Sequence, residues 1–66
     1  MQNKLRIERA ILRLTQEELA GRIGVSRQTI NAMEANKYVP STALALKLAR
    51  VFGKPVEQLF ELEEGD

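Results

Sequence analysis

The sequence predicts an all-α protein, folded as a compact bundle of five short helices. Thr15, Ser26 and Ser41 each precede apolar residues at helical spacing, and a hydroxyl at that position accepts an otherwise unpaired amide of the first turn. Gly24 and Gly53 follow two of these patterns, where glycine ends a helix because it adopts positive φ without steric cost. Helix starts and helix ends at this spacing indicate short helices joined by short connections.

The first helix is predicted from Asn3 to Arg13. Leu5, Arg9 and Leu12 share one face, and the two isoleucines of this segment lie on an adjacent face. A charge on an inward face needs a partner, because an unpaired buried charge is costly. The sequence therefore predicts that Arg9 meets an acidic residue.

The second and third helices are predicted at about 15–23 and 26–35. Thr15 and Glu18 have the spacing of a capping box, in which each side chain accepts the other residue's amide. Gly24 lies in the short connection that leads to Ser26. Two short helices joined by about three or four residues that include a glycine form a helix-turn-helix unit.

Ser41 begins a fourth helix that Gly53 closes, and Pro55 suits the first position of a short fifth helix. Residues 60–62 alternate apolar and acidic, so a short strand beside residues 1–3 is expected. The apolar positions predicted to face the interior in this half are Leu44, Ala45, Leu48, Ala49, Phe52, Val56, Leu59 and Phe60.

Composition narrows the function classes. The 66 residues are expected to form one domain, 1–66, with an acidic tail at 61–66. Neither cysteine nor histidine occurs, which argues against disulfides and the usual zinc sites, and no apolar run has the length of a membrane span. We expect a soluble cytoplasmic protein without metal, cofactor, membrane or small-molecule ligand. Catalysis is not expected, since the chain has no His or Cys, no phosphate-binding glycine loop and no inward pair of carboxylates, and is too short to enclose a substrate pocket.

Charge is unevenly distributed along the chain. All ten Lys and Arg lie in residues 1–54 with four acids, and the other five acids lie in residues 55–66. A basic body with an acidic tail is typical of a protein that binds a polyanion on one side. The alternative is the ordinary charge scatter of a small soluble domain.

The stretch from Thr15 to Lys37 and its flanks resemble the Cro and phage-repressor class of helix-turn-helix regulators, the xenobiotic-response-element (XRE) family, in its minimal single-domain form. The matching segments occur in family order: T-Q-E-E-L-A, I-G-V-S-R-Q-T-I-N, M-E, N-K-Y, P-S and L-A. The resemblance implies a lambda-repressor-like DNA-binding fold. It also implies an ion pair between Arg9 and Glu34, for which the alternative is two solvated charges. Asn36 stands where relatives usually carry glycine, a mild departure because asparagine tolerates positive φ.

The outward face of the third helix is rich in groups that recognise base edges. With Ile30 and Met33 facing the core, the remaining residues include arginine and amides, which bridge guanine and adenine edges respectively. The resemblance implies that this helix enters the major groove. The alternative is an ordinary solvated helix face. The expected base-reading residues are Arg27, Gln28, Thr29, Asn31 and Ala32.

Phosphate contacts are expected from the helix starts and the loop after the third helix, where free amides and polar side chains coincide. Matching positions in relatives touch the DNA backbone, although capping alone also explains Ser26 and Ser41. The expected phosphate-binding residues are Gln16, Ser26, Asn36, Lys37, Tyr38 and Ser41.

The function that these expectations predict is sequence-specific binding of double-stranded DNA by a transcriptional regulator, most simply a homodimeric repressor at a palindromic operator. When bound to DNA it would be nucleoid-associated. An antitoxin-like or other protein-interaction module that also binds DNA is the alternative. The dimer interface is expected in the C-terminal region, where ordinary core filling is the competing explanation. Its expected residues are Val51, Val56, Phe60 and Leu62, with Leu46 as a further candidate.

Overall fold

Five helices and two short strands make up the chain in the computed structural model, which describes all 66 residues. The predicted all-α class, with five helices and a short terminal β-pairing, is confirmed. None of the helices is both long and apolar enough to span a lipid bilayer. In chain order the elements are β1 Gln2–Asn3, α1 Leu5–Ile11, α2 Gln16–Ile23, α3 Arg27–Glu34, α4 Thr42–Phe52, α5 Val56–Leu59 and β2 Phe60–Glu61.

Side-chain caps begin the three central helices as predicted. The hydroxyls of Thr15, Ser26 and Ser41 each accept the amide three residues further on, at 3.0, 3.2 and 3.2 Å. The Glu18 carboxylate accepts the Thr15 amide at 2.9 Å, which completes the capping box. Gly24 has φ of 74° after α2, so the chain reverses there without a steric penalty.

The first helix is shorter than predicted at both ends. It spans Leu5–Ile11, because Asn3 belongs to β1 and Arg13 has a φ of 57° that takes the chain out of the helix. The Leu14 amide then donates to the Arg9 carbonyl at 3.0 Å, which satisfies one of the last free carbonyls of the helix. Arg13 thus holds a position that favours glycine.

The inward face of α1 also differs from the prediction. Leu12 is 44% exposed because the helix ends before it, whereas Leu5 and Glu8 are buried. The Glu8 carboxylate is neutralised by the Lys54 ammonium, with 2.7 Å between Oε2 and Nζ. An ion pair thus occupies part of the interface between α1 and the end of α4.

One cluster of buried apolar side chains holds the helices together. It draws residues from every helix, so α2 and α3 are fixed against the rest of the chain rather than only against each other. Val25, in the turn between these two helices, packs against the same cluster. The cluster consists of Leu5, Leu19, Ala20, Ile23, Ile30, Met33, Leu48, Phe52 and Leu59.

The strands pair antiparallel, with Gln2 opposite Glu61 and Asn3 opposite Phe60. This is the terminal pairing that the alternation of residues 60–62 predicts. Pro55 is the N-cap of α5, with extended backbone, rather than its first helical residue as predicted. The pairing places the two ends of the chain beside each other.

Candidate nucleic-acid interface

The α2–α3 unit is held by a three-residue connection and a shared core. Gly24 makes the turn, Val25 packs inward and Ser26 begins α3. Buried side chains from both helices, among them Ile23 and Ile30, belong to the same cluster. This packing leaves the opposite face of α3 free to meet a ligand.

The outer face of α3 presents two groups that have no partner within the chain. Arg27 and Gln28 are exposed at the N-terminal end of the helix, and their side chains form no hydrogen bond or ion pair. Thr29 is half-buried, and its hydroxyl lies 2.9 Å from the Ser26 hydroxyl. Asn31 is exposed and Ala32 is half-buried one turn further along.

Gln16 connects α2 to this face. Its Nε2 donates to Asn31 Oδ1 at 3.3 Å and to Glu34 Oε1 at 3.2 Å. The side-chain amide of Gln16 therefore orients the exposed Asn31 of α3 and also contacts the buried carboxylate of Glu34. Gln16 lies at the start of α2, where the first amides of the helix are also directed outward.

Glu34 and Arg9 form the ion pair implied by the family resemblance. Arg9 Nε lies 2.8 Å from Glu34 Oε2, and Arg9 Nη2 donates to Oε1 at 3.2 Å, which makes a two-pronged contact. The Glu34 side chain is 0% exposed and the Arg9 side chain 18%. Arg9 Nη1 also donates to the Leu14 carbonyl at 2.8 Å, so a single guanidinium joins α1, the α1–α2 connection and α3.

The environment of Glu34 keeps it ionised. Burial alone would raise the pKa of this carboxyl, but the hydrogen bonds from Arg9 and Gln16 and the nearby positive charges lower it below its ordinary value. Arg6 contributes to this field, with its Nε 3.6 Å from Oε1, although its side chain is 73% exposed. The Arg9 pKa is raised in turn by its hydrogen bonds to Glu34.

The segment after α3 turns sharply at Asn36, which has a φ of 61°. The Lys37 amide donates to the Ala32 carbonyl at 2.9 Å. This bond closes a C-terminal cap in which the residue after the helix has left-handed backbone geometry. Asn3 donates from Nδ2 to the Met33 carbonyl and to Asn36 Oδ1, both at 2.7 Å. The side chains of Lys37 and Tyr38, the next two residues, are exposed.

The four residues expected at the dimer interface fall into two groups. Val56, Phe60 and Leu62 line one shallow groove together with Met1, and Leu62 is 76% exposed. Val51 lies outside this groove and packs against the core cluster, as Phe60 also does. Leu46 is 58% exposed and does not line the groove.

The sequence does not reveal the contacts of three residues, Asn3, Arg6 and Glu8. The helical pattern predicts Asn3 in the first helix, whereas in the structure its side chain supports the end of α3. Arg6 adds to the field at Glu34, and Glu8 is buried against Lys54. An asparagine just before a helical pattern signals a helix start, but nothing in the sequence shows the partners that lie 30 or more residues away.

A short turn that joins two packed helices, the second of which exposes arginine and amide groups, defines a helix-turn-helix protein. A family model described as helix-turn-helix matches residues 5–59, and the chain belongs to this family of DNA-binding transcriptional regulators. The predicted membership of the Cro and phage-repressor (XRE) class is thereby confirmed, and with it the lambda-repressor-like fold.

Curated relatives carry the same description. The chain is 52% identical over 66 residues to an uncharacterized HTH-type transcriptional regulator of Methanocaldococcus jannaschii, with 100% of both chains covered. It is 47% identical over 64 residues to one from Archaeoglobus fulgidus, covering 97% of this chain and 90% of the relative. A Bacillus subtilis protein of the same description is 45% identical over 64 residues, with 97% of each chain covered.

Proposed function

We propose that this protein is a sequence-specific transcriptional repressor that binds a palindromic double-stranded DNA operator as a homodimer. The observation that carries the proposal is the pair of unpartnered side chains, Arg27 and Gln28, at the exposed N-terminal end of α3. In helix-turn-helix proteins this end of the second helix meets the base edges of the major groove.

Base reading is assigned chiefly to three side chains. The Arg27 guanidinium suits the O6 and N7 acceptors of guanine, and the Gln28 amide suits the N6 and N7 groups of adenine. Asn31 can make the same contact as Gln28, with its orientation set by Gln16. Thr29 and Ala32 are half-buried, so they offer small apolar contacts to a thymine methyl.

Phosphate binding is assigned to the helix starts and the loop after α3. Each cap accepts one amide of the first turn, so other amides of that turn remain available to phosphate oxygens. The Lys37 ammonium adds a positive charge that no acidic side chain neutralises within the chain. The residues proposed to touch phosphates are Gln16, Ser26, Asn36, Lys37, Tyr38 and Ser41.

Dimerisation is assigned to the C-terminal groove. Leu62 is 76% exposed, and it shares an apolar groove with Val56 and Phe60 that a second copy would cover. Val51 does not line this groove and packs against the core cluster. Two recognition helices must lie about 34 Å apart to enter successive major grooves on one face of the duplex.

Selection of bound sites from a random duplex pool tests the proposal. The expected result is a palindromic consensus, and Gln28→Ala should lose about 1–3 kcal/mol of discrimination at one base pair of each half-site. Lys37→Ala is the matched control, since it should weaken every sequence alike and reduce the salt slope by about one unit. An unchanged consensus with Gln28→Ala would contradict the assignment of base reading to α3.

A second candidate is an antitoxin-like or other protein-interaction module that also binds DNA. The specific observation in its favour is the outward face of α1, where Ile7 is 61% and Ile11 65% exposed. An Arg27→Ala/Gln28→Ala double variant separates the two functions. Retained binding of a co-purified partner without DNA binding favours the interaction module.

A further inference from the structure

We propose that Asn3 is a positioning residue for DNA binding, which holds the end of α3 and the segment 36–38 in the geometry that meets phosphates. The inference rests on the proposed function and adds a residue that lies outside the helix-turn-helix unit. Asn3 reaches the interface only through the residues it holds.

The Asn3 side chain uses both ends of its amide. Nδ2 donates to the Met33 carbonyl and to Asn36 Oδ1, at 2.7 Å in each case. Oδ1 accepts the Leu5 amide at 3.1 Å, at the start of α1. One half-buried side chain therefore ties the beginning of α1 to the end of α3.

The two donated bonds act at the turn that directs the proposed phosphate-binding segment. Asn36 has a φ of 61°, a conformation that a non-glycine residue adopts at a cost, and its side chain is held there by Asn3. The Met33 carbonyl is one of the last carbonyls of α3, and it accepts both the Asn3 side chain at 2.7 Å and the Asn36 amide at 3.1 Å. With both groups held, Lys37 and Tyr38 leave the helix in one direction before DNA arrives, so less freedom is lost on binding.

The same residue belongs to the terminal sheet. Asn3 is paired with Phe60 across β1 and β2, and the next amide along, that of Lys4, donates to the Leu59 carbonyl at 2.9 Å. Phe60 also lines the groove proposed for a second copy. The end of α3 is thereby joined to the C-terminal strand through a single residue, by its side chain on one side and its backbone on the other.

Asn3→Ser isolates the two donated bonds. Serine keeps an oxygen that can accept the Leu5 amide, but it is too short to reach Met33 or Asn36. Gln2→Ser is the matched control, since Gln2 is the exposed neighbour on the same strand. Affinity for the selected operator and for an unrelated duplex is measured by fluorescence anisotropy, normalised to the folded fraction at each condition.

We expect Asn3→Ser to weaken both duplexes by about two- to tenfold, the range that corresponds to a lost hydrogen bond, with the base preference unchanged. The Asn36→Gly variant keeps the turn but removes the side-chain acceptor. In that background, Asn3→Ser should reduce the affinity for DNA by a smaller factor. Faster hydrogen exchange of the Lys37 amide in the free variant should accompany the loss. Asn3→Thr, which keeps a hydroxyl for the Leu5 amide, lacks the amide donor and suits a strand, replaces Asn3→Ser if the latter does not fold.

A merely structural role predicts a different pattern. Lower thermal stability with wild-type affinity per folded molecule, or an equal loss in both Asn36 backgrounds, would overturn the inference. Failure of the wild-type protein to bind any duplex would instead overturn the proposed function. The two failures are therefore distinguishable in one set of titrations.

Discussion

Removal of the Arg9 guanidinium tests how much the ion pair with Glu34 contributes to the stability of the fold. In Arg9→Ala, Glu34 loses the contacts at 2.8 and 3.2 Å to its two oxygens, and its side chain is 0% exposed in the wild-type protein. Gln16 and the solvated Arg6 then remain as its only polar neighbours. Breaking a buried ion pair from one side costs about 3–5 kcal/mol, because the other charge is left without compensation.

That cost is comparable with the whole stability of the protein. A chain below about 70–80 residues seldom gains more than roughly 3–5 kcal/mol from a single core. A loss of about 3 kcal/mol lowers the midpoint of thermal unfolding by roughly 12–24 °C in a domain of this size. We therefore expect Arg9→Ala to lose a large part of the free energy of unfolding and to unfold at a midpoint about 12–24 °C below that of the wild-type protein.

Thermal and urea unfolding followed by circular dichroism provide the assay, and Arg6→Ala is the matched control. Arg6 approaches the same carboxylate at 3.6 Å but is 73% exposed, so its removal should cost less than about 1 kcal/mol. A loss with Arg9→Ala no larger than that with Arg6→Ala would refute the reasoning. The double replacement Arg9→Met/Glu34→Leu leaves no unpaired charge and should recover much of the stability.

Three further predictions follow from local features. Because the Glu34 pKa is lowered on folding, ionised Glu34 adds to the free energy of unfolding. This contribution is fully present above the unfolded-state pKa of about 4.3 and is lost as the pH falls through the folded-state pKa. Acid unfolding should therefore begin below about pH 5, and the loss of stability with falling pH should be shallower in Glu34→Gln. Arg13→Gly should raise stability by about 0.5–1 kcal/mol in urea titrations, since Arg13 has a φ of 57° and its side chain has no hydrogen-bonding or ionic partner, and an unchanged midpoint would contradict this. Leu62→Asp should leave the stability of the monomer unchanged, because the side chain is 76% exposed in the single chain, and should shift sedimentation equilibrium at micromolar concentration toward the monomer. A wild-type protein that is already monomeric while bound to DNA would exclude the proposed dimer.

The elements that sequence predicts best are those whose signals are local. The caps at Thr15, Ser26 and Ser41 depend on a side chain and an amide three residues apart, so the pattern itself contains both partners. The turn at Gly24 is similarly local, because the left-handed conformation is intrinsic to the residue. These signals also locate α3, and with it the candidate base-reading residues.

The features that sequence does not reveal depend on partners far along the chain. Glu8 is buried because Lys54, 46 residues away, neutralises it, and Asn3 meets Asn36 across 33 residues. Helical periodicity assigns a face to a residue but not a partner, so it predicts that Leu12 rather than Glu8 faces inward. The resemblance to a known family implies one distant pairing that periodicity does not, that between Arg9 and Glu34.

Competition binding with Arg27→Lys tests most directly whether α3 reads base edges. Lysine keeps the positive charge but cannot make the two-pronged contact with guanine, so phosphate attraction and base recognition separate in one variant. We predict an unchanged salt slope together with a loss of about 1–3 kcal/mol of discrimination at a single base pair in each half-site. Wild-type discrimination at every position of the site would contradict the assignment of base recognition to this helix.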